Sequence, residues 1–409
     1  MTPPSRTLRI ALLGADSSTP ALARAVVDRY QLAGICEFDG ADPETIGALA
    51  PLVSRARKFA DWEALLDQQV VDAVIVARGP DEDRRAEQLR KLVQAGVPLL
   101  VSHPVVDSML IYYELDMIRR DTACVVVPNL PDRHHRAIEE LAEILGQGAG
   151  SPIGKIEQVV VQSCIAEPRK PQVIARFARE VDLIRSIAGD MTRLGAMAGT
   201  SDDAAYASLG VQMAGPSGVA VRWSVNPVQT DETTQISLLG ANGRAVLDIH
   251  SDGQPWTMEL IMPGGQVKRQ QYEIWDSASA ALSELERAIV GAGREPDWVD
   301  AARSIELAET IERSLKKSRT IELYYEDYTE EGTFKGTMTS VGCGLLLAGM
   351  FLLGAVAIAE QMGLPYVRAW PYLLLGFFGL FLLMQMLMLV FRKQEPGSSE
   401  APLPNDQRP

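Results

Sequence analysis

Near its C-terminal end the chain carries two uncharged apolar runs, MTSVGCGLLLAGMFLLGAVAIA (Met338–Ala359) and PYLLLGFFGLFLLMQMLMLVF (Pro371–Phe391). Each is long enough to cross roughly 30 Å of hydrocarbon as a helix, the form in which a backbone satisfies its own polar groups. A buried core helix would explain one such run. Two around a short polar loop read as a transmembrane hairpin over 338–391. Neither run holds a charge, so the hairpin is expected to anchor or oligomerise the protein, not to form a substrate path. Lys316, Lys317, Arg319 and Lys335 precede it and Arg392 and Lys393 follow it, while the intervening loop EQMGLPYVRAW has Arg368 as its one cation. Positive charge stays inside. The bilayer is thus an expected partner, and the expected location is the cytoplasmic (inner) membrane, with the soluble domains and C-terminal tail in the cytoplasm.

The rest of the 409 residues is long enough for two soluble domains. The net charge of -14, with no basic stripe, argues against nucleic acid as a partner. The first residues, MTPPSRTLRI, lack the charged and apolar regions of a secretory signal. Cys36, Cys124, Cys164 and Cys343 are scattered without C-x-x-C spacing and read as buried free thiols in a reducing compartment, with no metal site.

Short apolar runs alternate with capped helical patterns over residues 1–130, the habit of a parallel sheet wrapped by crossover helices. Strands are expected at Leu8–Leu13, Leu32–Glu37, Ala73–Ala77, Pro98–Val101 and Cys124–Val127. Thr19 before Pro20 and Asp42 before Pro43 read as helix caps, and Asp81–Ala95 as a helix stopped by Gly96. After about residue 150 the pattern changes to period two in KIEQVVVQSC, GVAVRWSV, TTQISLLG, GRAVLDIH and QVKRQQYEI, which predicts strands with one buried face. Helices are expected at Pro171–Ala188, Ala280–Val290 and Trp298–Leu315. The fold class is therefore α/β: a Rossmann-like doubly wound parallel sheet over 1–130, then an α+β domain with an open mixed or antiparallel sheet over 131–323. An acidic linker (324–337) joins this to the hairpin, and a disordered tail (392–409) ends the chain.

Four segments in this order, VDAVIVARGP (Val71–Pro80), QAGVPLLVSHP (Gln94–Pro104), SPIGKIEQV (Ser151–Val159) and DAARSIELAETIERSLKKSRTIEL (Asp300–Leu323), give the chain its family likeness. It resembles the glucose-fructose oxidoreductase, inositol dehydrogenase and MocA family over roughly residues 7–323. The resemblance implies NAD or NADP as cofactor, a small sugar-like ligand, and a homo-oligomer formed through the open sheet of the second domain.

The family's site residues carry over poorly. Where the phosphate loop reads G-x-G-x-x-G, this chain keeps Gly14 but has Asp16 and Thr19 in place of the later glycines. An Asp facing a pyrophosphate at about 4 Å would cost on the order of 4 kcal/mol. Alternatively Asp16 points away, and Ser17, Ser18 and Thr19 still offer an anion site at a helix N-terminus. Glu37 matches the acid that holds the adenosine ribose, or is an ordinary strand-end carboxylate. The family's E-K-P becomes Ser102-His103-Pro104, so His103 is the one catalytic candidate, as an acid/base; otherwise it merely lines or closes the pocket. The family's D-x-G-x-H-x-x-D helix becomes Ala175, Phe177, Arg179 and Asp182, which removes the proton acceptor and sets Phe177 on the substrate side. Arg84 replaces a histidine often found after the strand proline, here Pro80. His134 and His135 read as solvent-exposed cap neighbours, and Trp223, Trp256, Trp275 and Trp298 as core or interface anchors. Two readings follow: a membrane-anchored, non-catalytic binding protein with degraded loop and catalytic residues, which is preferred, or an active NAD(P)-dependent oxidoreductase that uses His103 on a sugar- or cyclitol-like substrate.

Overall fold

Continuous apolar runs need cover on both faces, and the first sheet provides it. β1 (Arg9–Leu13), β2 (Gln31–Cys36), β3 (Ala73–Val76), β4 (Leu99–Val101) and β5 (Val126–Pro128) pair in parallel in the order β2-β1-β3-β4-β5. Every residue of β3, β4 and β5 is buried. Between the strands run α1 (Thr19–Arg29), α2 (Pro43–Val53), α3 (Glu82–Gln94) and α4 (Met109–Thr122). Asp42 caps α2 by accepting the Thr45 amide at 2.8 Å, and Asp81 caps α3 by accepting the Arg84 amide at 3.0 Å. The cap of α1 falls one residue earlier than the sequence implied: Ser18 is the N-cap and Thr19 opens the helix.

The computed structural model describes residues 7–323 apart from 39, 55, 200–205, 229–231, 251–252 and 293–295. The expected linker, transmembrane hairpin and tail lie outside the described residues. Among the described residues no helix is long and apolar enough to cross a membrane.

The second domain adds α5 (Arg136–Gly146), β6 (Ile156–Ile165), α6 (Lys170–Ala188), β7 (Arg193–Met197), β8 (Gly210–Ala214), β9 (Ala220–Pro227), β10 (Thr233–Gly240), β11 (Gly243–His250), β12 (Thr257–Ile261), β13 (Val267–Gln271), α7 (Ser277–Ile289), α8 (Trp298–Lys317) and β14 (Ile321–Glu322). Its nine strands lie in the order β13-β12-β11-β10-β6-β9-β8-β7-β14, antiparallel except for the parallel pair β6 and β9, so the sheet is mixed. The period-two pattern shows directly: buried Val159, Val161 and Ser163 of β6 alternate with less buried neighbours.

Glu180 of α6 fastens that helix to three strands. Its carboxylate accepts Ser163 Oγ at 3.0 Å, Trp223 Nε1 at 2.6 Å, Arg176 Nε at 2.6 Å and the hydroxyl of Thr234. Two later helices return to the first domain. Ala278, Ala281, Leu282 and Leu285 of α7 join the core formed by β1, α1 and β3. Trp298 of α8 stacks on Tyr112 with ring centroids 4.8 Å apart and donates Nε1 to the Tyr112 carbonyl at 2.9 Å. The residues that follow β1, β2 and β4, with α6 reaching His103 through the Ala178 carbonyl, hold the candidate site.

Candidate functional site

The turn after β1 needs glycine at residue 14 for two reasons. Gly14 has φ +75°, and a Cβ there would lie 2.5 Å from Arg85 Nη2. Beyond it, Asp16 Oδ1 accepts Ser18 N at 3.0 Å, Ser18 Oγ at 2.7 Å and Thr19 Oγ1 at 3.1 Å, while Oδ2 accepts Arg78 N at 3.1 Å. The Thr19 amide is bound to the Asp16 carbonyl at 3.0 Å. Burial alone would raise the Asp16 pKa, but the hydroxyls of Ser102 and Ser18 and the Arg78 amide outweigh it and hold the carboxyl below its usual range. The carboxylate thus turns into the start of α1, where it acts as that helix's own anion. Thr19 is buried, Ser18 is half-buried, and Ser17 is exposed.

At the end of β2, Glu37 adopts a left-handed backbone with φ 56°. Its Oε1 accepts Gln88 Nε2 at 2.8 Å, Arg84 Nη2 at 2.5 Å and Arg84 Nε at 3.2 Å. Burial pushes its pKa up, and the bonds from Gln88 and Arg84 more than reverse this. Gln88 in turn accepts Arg85 Nη1 at 2.8 Å. Arg85 is 3% exposed, and its guanidinium lies between Gly14 and Gly79, with Nε lacking a partner. Sequence reasoning missed Arg85. The signal was there, since Leu89, Leu92 and Val93 define the buried face of α3 and Arg85 lies one turn before Leu89.

His103 follows β4 and is 6% exposed. Its Nε2 is 3.3 Å from the Ala178 carbonyl, which assigns the ring proton to Nε2, and Nδ1 is then a buried acceptor without a partner. Burial drives its pKa down to about 3, against the pull of the Ala178 carbonyl, and the charges of Arg179 and Arg185 add to the fall. The imidazole is neutral at any physiological pH.

Beside α6 opens a cavity of about 280 Å³ whose lining includes Asp132, Arg176, Arg179, Gln254, Trp256 and Trp275. Asp132 accepts Trp275 Nε1 at 2.8 Å, yet burial keeps its pKa above the usual range. Arg176 is committed to Glu180 and, through Nη2 at 2.9 Å, to Thr234. Arg179 is exposed to the cleft. Among the described residues it forms no ion pair.

Phe177, His135 and Cys164 depart from what the sequence implies. Phe177 is fully buried and packs edge-on against Trp223 at 5.1 Å, so it belongs to the core beneath α6 and not to the substrate side. Asp182 lies at the cavity wall with 0% exposure, its Oδ1 accepting Arg133 Nη2 at 2.8 Å, and burial raises its pKa to about 6 against Arg133 and Arg185. His135 is 3% exposed, not solvent-exposed; it caps α5 through Nδ1 and stacks on Trp256 at 3.8 Å. Trp223 and Trp298 are core residues, whereas Trp256 and Trp275 line the cavity. Cys36 and Cys124 are buried thiols, while Cys164 is only half-buried and Cys343 lies outside the described residues. Among the described residues no group of three His, Cys, Asp or Glu side chains could hold a metal ion.

A family profile described as oxidoreductase family, NAD-binding Rossmann fold, matches residues 8–120. No curated protein matches the chain by sequence. Solved structures match across both domains. The UDP-N-acetylglucosamine 3-dehydrogenase of Acidithiobacillus ferrooxidans has a TM-score of 0.62 at 18% identity, over 76% of this chain and 98% of its own. An oxidoreductase from Agrobacterium radiobacter, in complex with NAD+, L-tartaric acid and magnesium, gives 0.61 at 17% identity, over 77% and 98%. A 3-ketoreductase from Actinomadura kijaniata, in complex with NADP and TDP-benzene, gives 0.63 at 15% identity, over 76% and 98%. The first domain is therefore similar to the NAD-binding Rossmann part of an oxidoreductase family, and the described chain shares the two-domain fold of the structures it matches.

Proposed function

We propose that this protein is a membrane-anchored, non-catalytic binding protein built on the oxidoreductase fold, with a small sugar-like molecule as its ligand. One observation carries the reading: the Asp16 carboxylate sits at the start of α1 and uses the Ser18 amide, both neighbouring hydroxyls and the Arg78 amide. The Ser18 amide is a donor of the kind that the N-terminus of a Rossmann helix offers a pyrophosphate, and a carboxylate held there sets a negative charge where the phosphates would lie. Pro20 has no N–H to add, and Arg85 fills the space beside Gly14. The residues present do not fit NAD or NADP.

The chemistry of the remaining groups supports the same reading. A general base works best with a pKa near the operating pH and within reach of the proton it takes. The pKa of His103 lies near 3 and its Nε2 is engaged by Ala178. Arg179, at the family's histidine position, cannot accept a proton. The apolar runs at 338–359 and 371–391 would hold the domains at the cytoplasmic face of the inner membrane, and the open sheet of the second domain would pair copies of the chain.

Titration of the full-length chain with NAD and NADP tests the reading. No binding is expected at micromolar cofactor, and Asp16→Gly should improve it. Micromolar binding by the natural protein, together with reduction of the nicotinamide by a cyclitol or aldose, would replace this reading with that of an active oxidoreductase.

A further inference from the structure

We infer that the cavity beside α6 takes a small polyhydroxylated ring bearing one anionic group, and that Arg179 is the anion's partner. This rests on the binding-protein reading above and names its ligand class. The helix α6 holds three arginines. Arg176 is bound to Glu180, and Arg185 to Asp190 and Asp300. Arg179 alone of the three has no ion pair among the described residues, and it is exposed to the cleft.

The acids of the lining each already accept a donor from the protein, although Oδ2 of Asp182 is buried without one. Glu180 accepts donors from three strands as well as from Arg176, Asp182 accepts Arg133, and Asp132 accepts Trp275. Arg179 is therefore the lining charge left for a ligand. Protein surrounds it on most sides while water still reaches it, and that enclosure, with Arg176 adding repulsion, makes its cationic form less favourable than on an open surface. The attraction of an anion arriving there offsets both costs, and it is screened less than at a free surface. A guanidinium fork binds carboxylate and phosphate alike through paired N–H donors.

The rest of the wall suits a ring. Trp256 and Trp275 offer apolar surface, and Asn129 offers a neutral hydrogen-bonding group. A volume of about 280 Å³ is on the scale of a single sugar ring.

Three pyranoses that differ at carbon 6 test the inference by calorimetric titration of the full-length chain: D-glucose, D-glucuronate and D-glucose 6-phosphate. At least one anionic sugar is expected to bind tenfold or more tightly than glucose, and the two anionic arms decide between carboxylate and phosphate. Arg179→Gln should abolish the preference and Arg179→Lys should keep part of it, with unfolding temperatures unchanged because Arg179 holds no other residue. Equal binding of all three sugars, binding of none, or a preference that survives Arg179→Gln would overturn the assignment. Reduced-nicotinamide absorbance, followed in the same samples with NAD present, separates the two readings. Turnover of an anionic sugar would end the non-catalytic reading and leave this one standing, whereas the absence of an anionic preference in the natural protein, without turnover, would end this one alone.

Discussion

Asp16 and Arg78 are 62 positions apart, and the Asp16 carboxylate accepts the Arg78 amide at 3.1 Å. This bond ties the turn after β1 to the turn after β3, across the point where the strand order reverses. The residue that closes the phosphate loop also holds the sheet ends together, so reopening the loop has a structural cost. Asp16→Gly is expected to lower stability by about 2–3 kcal/mol, the scale of a charge-assisted hydrogen bond lost from a partly buried site. Chemical denaturation of the natural and substituted proteins measures it, and an unchanged midpoint would show that the bond is ornamental.

Gly14 makes a second structural prediction. A methyl group would be strained by the positive φ and would meet Arg85 Nη2 at 2.5 Å. Gly14→Ala should cost about 1–3 kcal/mol from the backbone alone, with the clash added. In an Arg85→Ala background the added part should vanish while the backbone part persists. A double-mutant cycle reads the difference, and strict additivity would mean that the two residues do not interact.

Removing the carboxylate of Glu180 should be among the most damaging single changes in the chain. Glu180→Ala would leave Trp223 Nε1, Ser163 Oγ, Thr234 Oγ1 and Arg176 Nε without their shared acceptor. A loss of about 3–5 kcal/mol is expected. Calorimetry would detect it as a lower unfolding temperature, and a change under 1 kcal/mol would contradict the role of Glu180 as the fastening of α6.

Acid should destabilise the fold through His103. Its folded pKa of about 3 lies below the ordinary histidine value, so the unfolded chain binds the proton more readily. The stability that the neutral imidazole contributes is complete above pH about 6.5 and falls by about 1.4 kcal/mol for each unit below that, until the folded pKa is reached. His103→Asn should flatten the acid limb of the stability profile. The comparison is natural against substituted protein between pH 7 and 4, and parallel profiles would refute it.

Reporter fusions at Gly363 and Gly397 test the membrane hairpin. Opposite compartments are expected, with Gly397 cytoplasmic. The same compartment for both would remove the hairpin.

Periodicity is strong evidence about which element forms and weak evidence about what each side chain touches. The runs Ile10–Leu13 and Ala73–Val76 were legible as buried strands because every residue in them is apolar. β7, β8 and β12, five residues each, were missed because Gly195, Gly210 and the mixed sequence TMELI give too few alternations to count. In the site, the departures at Asp16, His103 and Arg179 were visible as letters, but their consequences were not. Whether Asp16 opposed a phosphate or replaced one depended on where its carboxylate turned, and that is set by Ser18 and by Arg78, which is remote in sequence. Phe177 shows the limit from the other side: the likeness to the family's helix motif sets it near the substrate, whereas the helix period that buries Val173, Val181 and Ile184 puts it in the core.

The last described strand gives the sheet a mechanical weak point. β14 is two residues long and lies at the edge of the nine-stranded sheet, pairing with β7 through Ile321 and Glu322; the Leu323 amide then bonds the Thr192 carbonyl at 2.8 Å. Any tension applied through the chain beyond Leu323 enters the domain at this short zipper, so the first thing to yield would be two residues of edge strand, with α8 and the eight strands behind it still intact. The domain would lengthen its own leash before it unfolded.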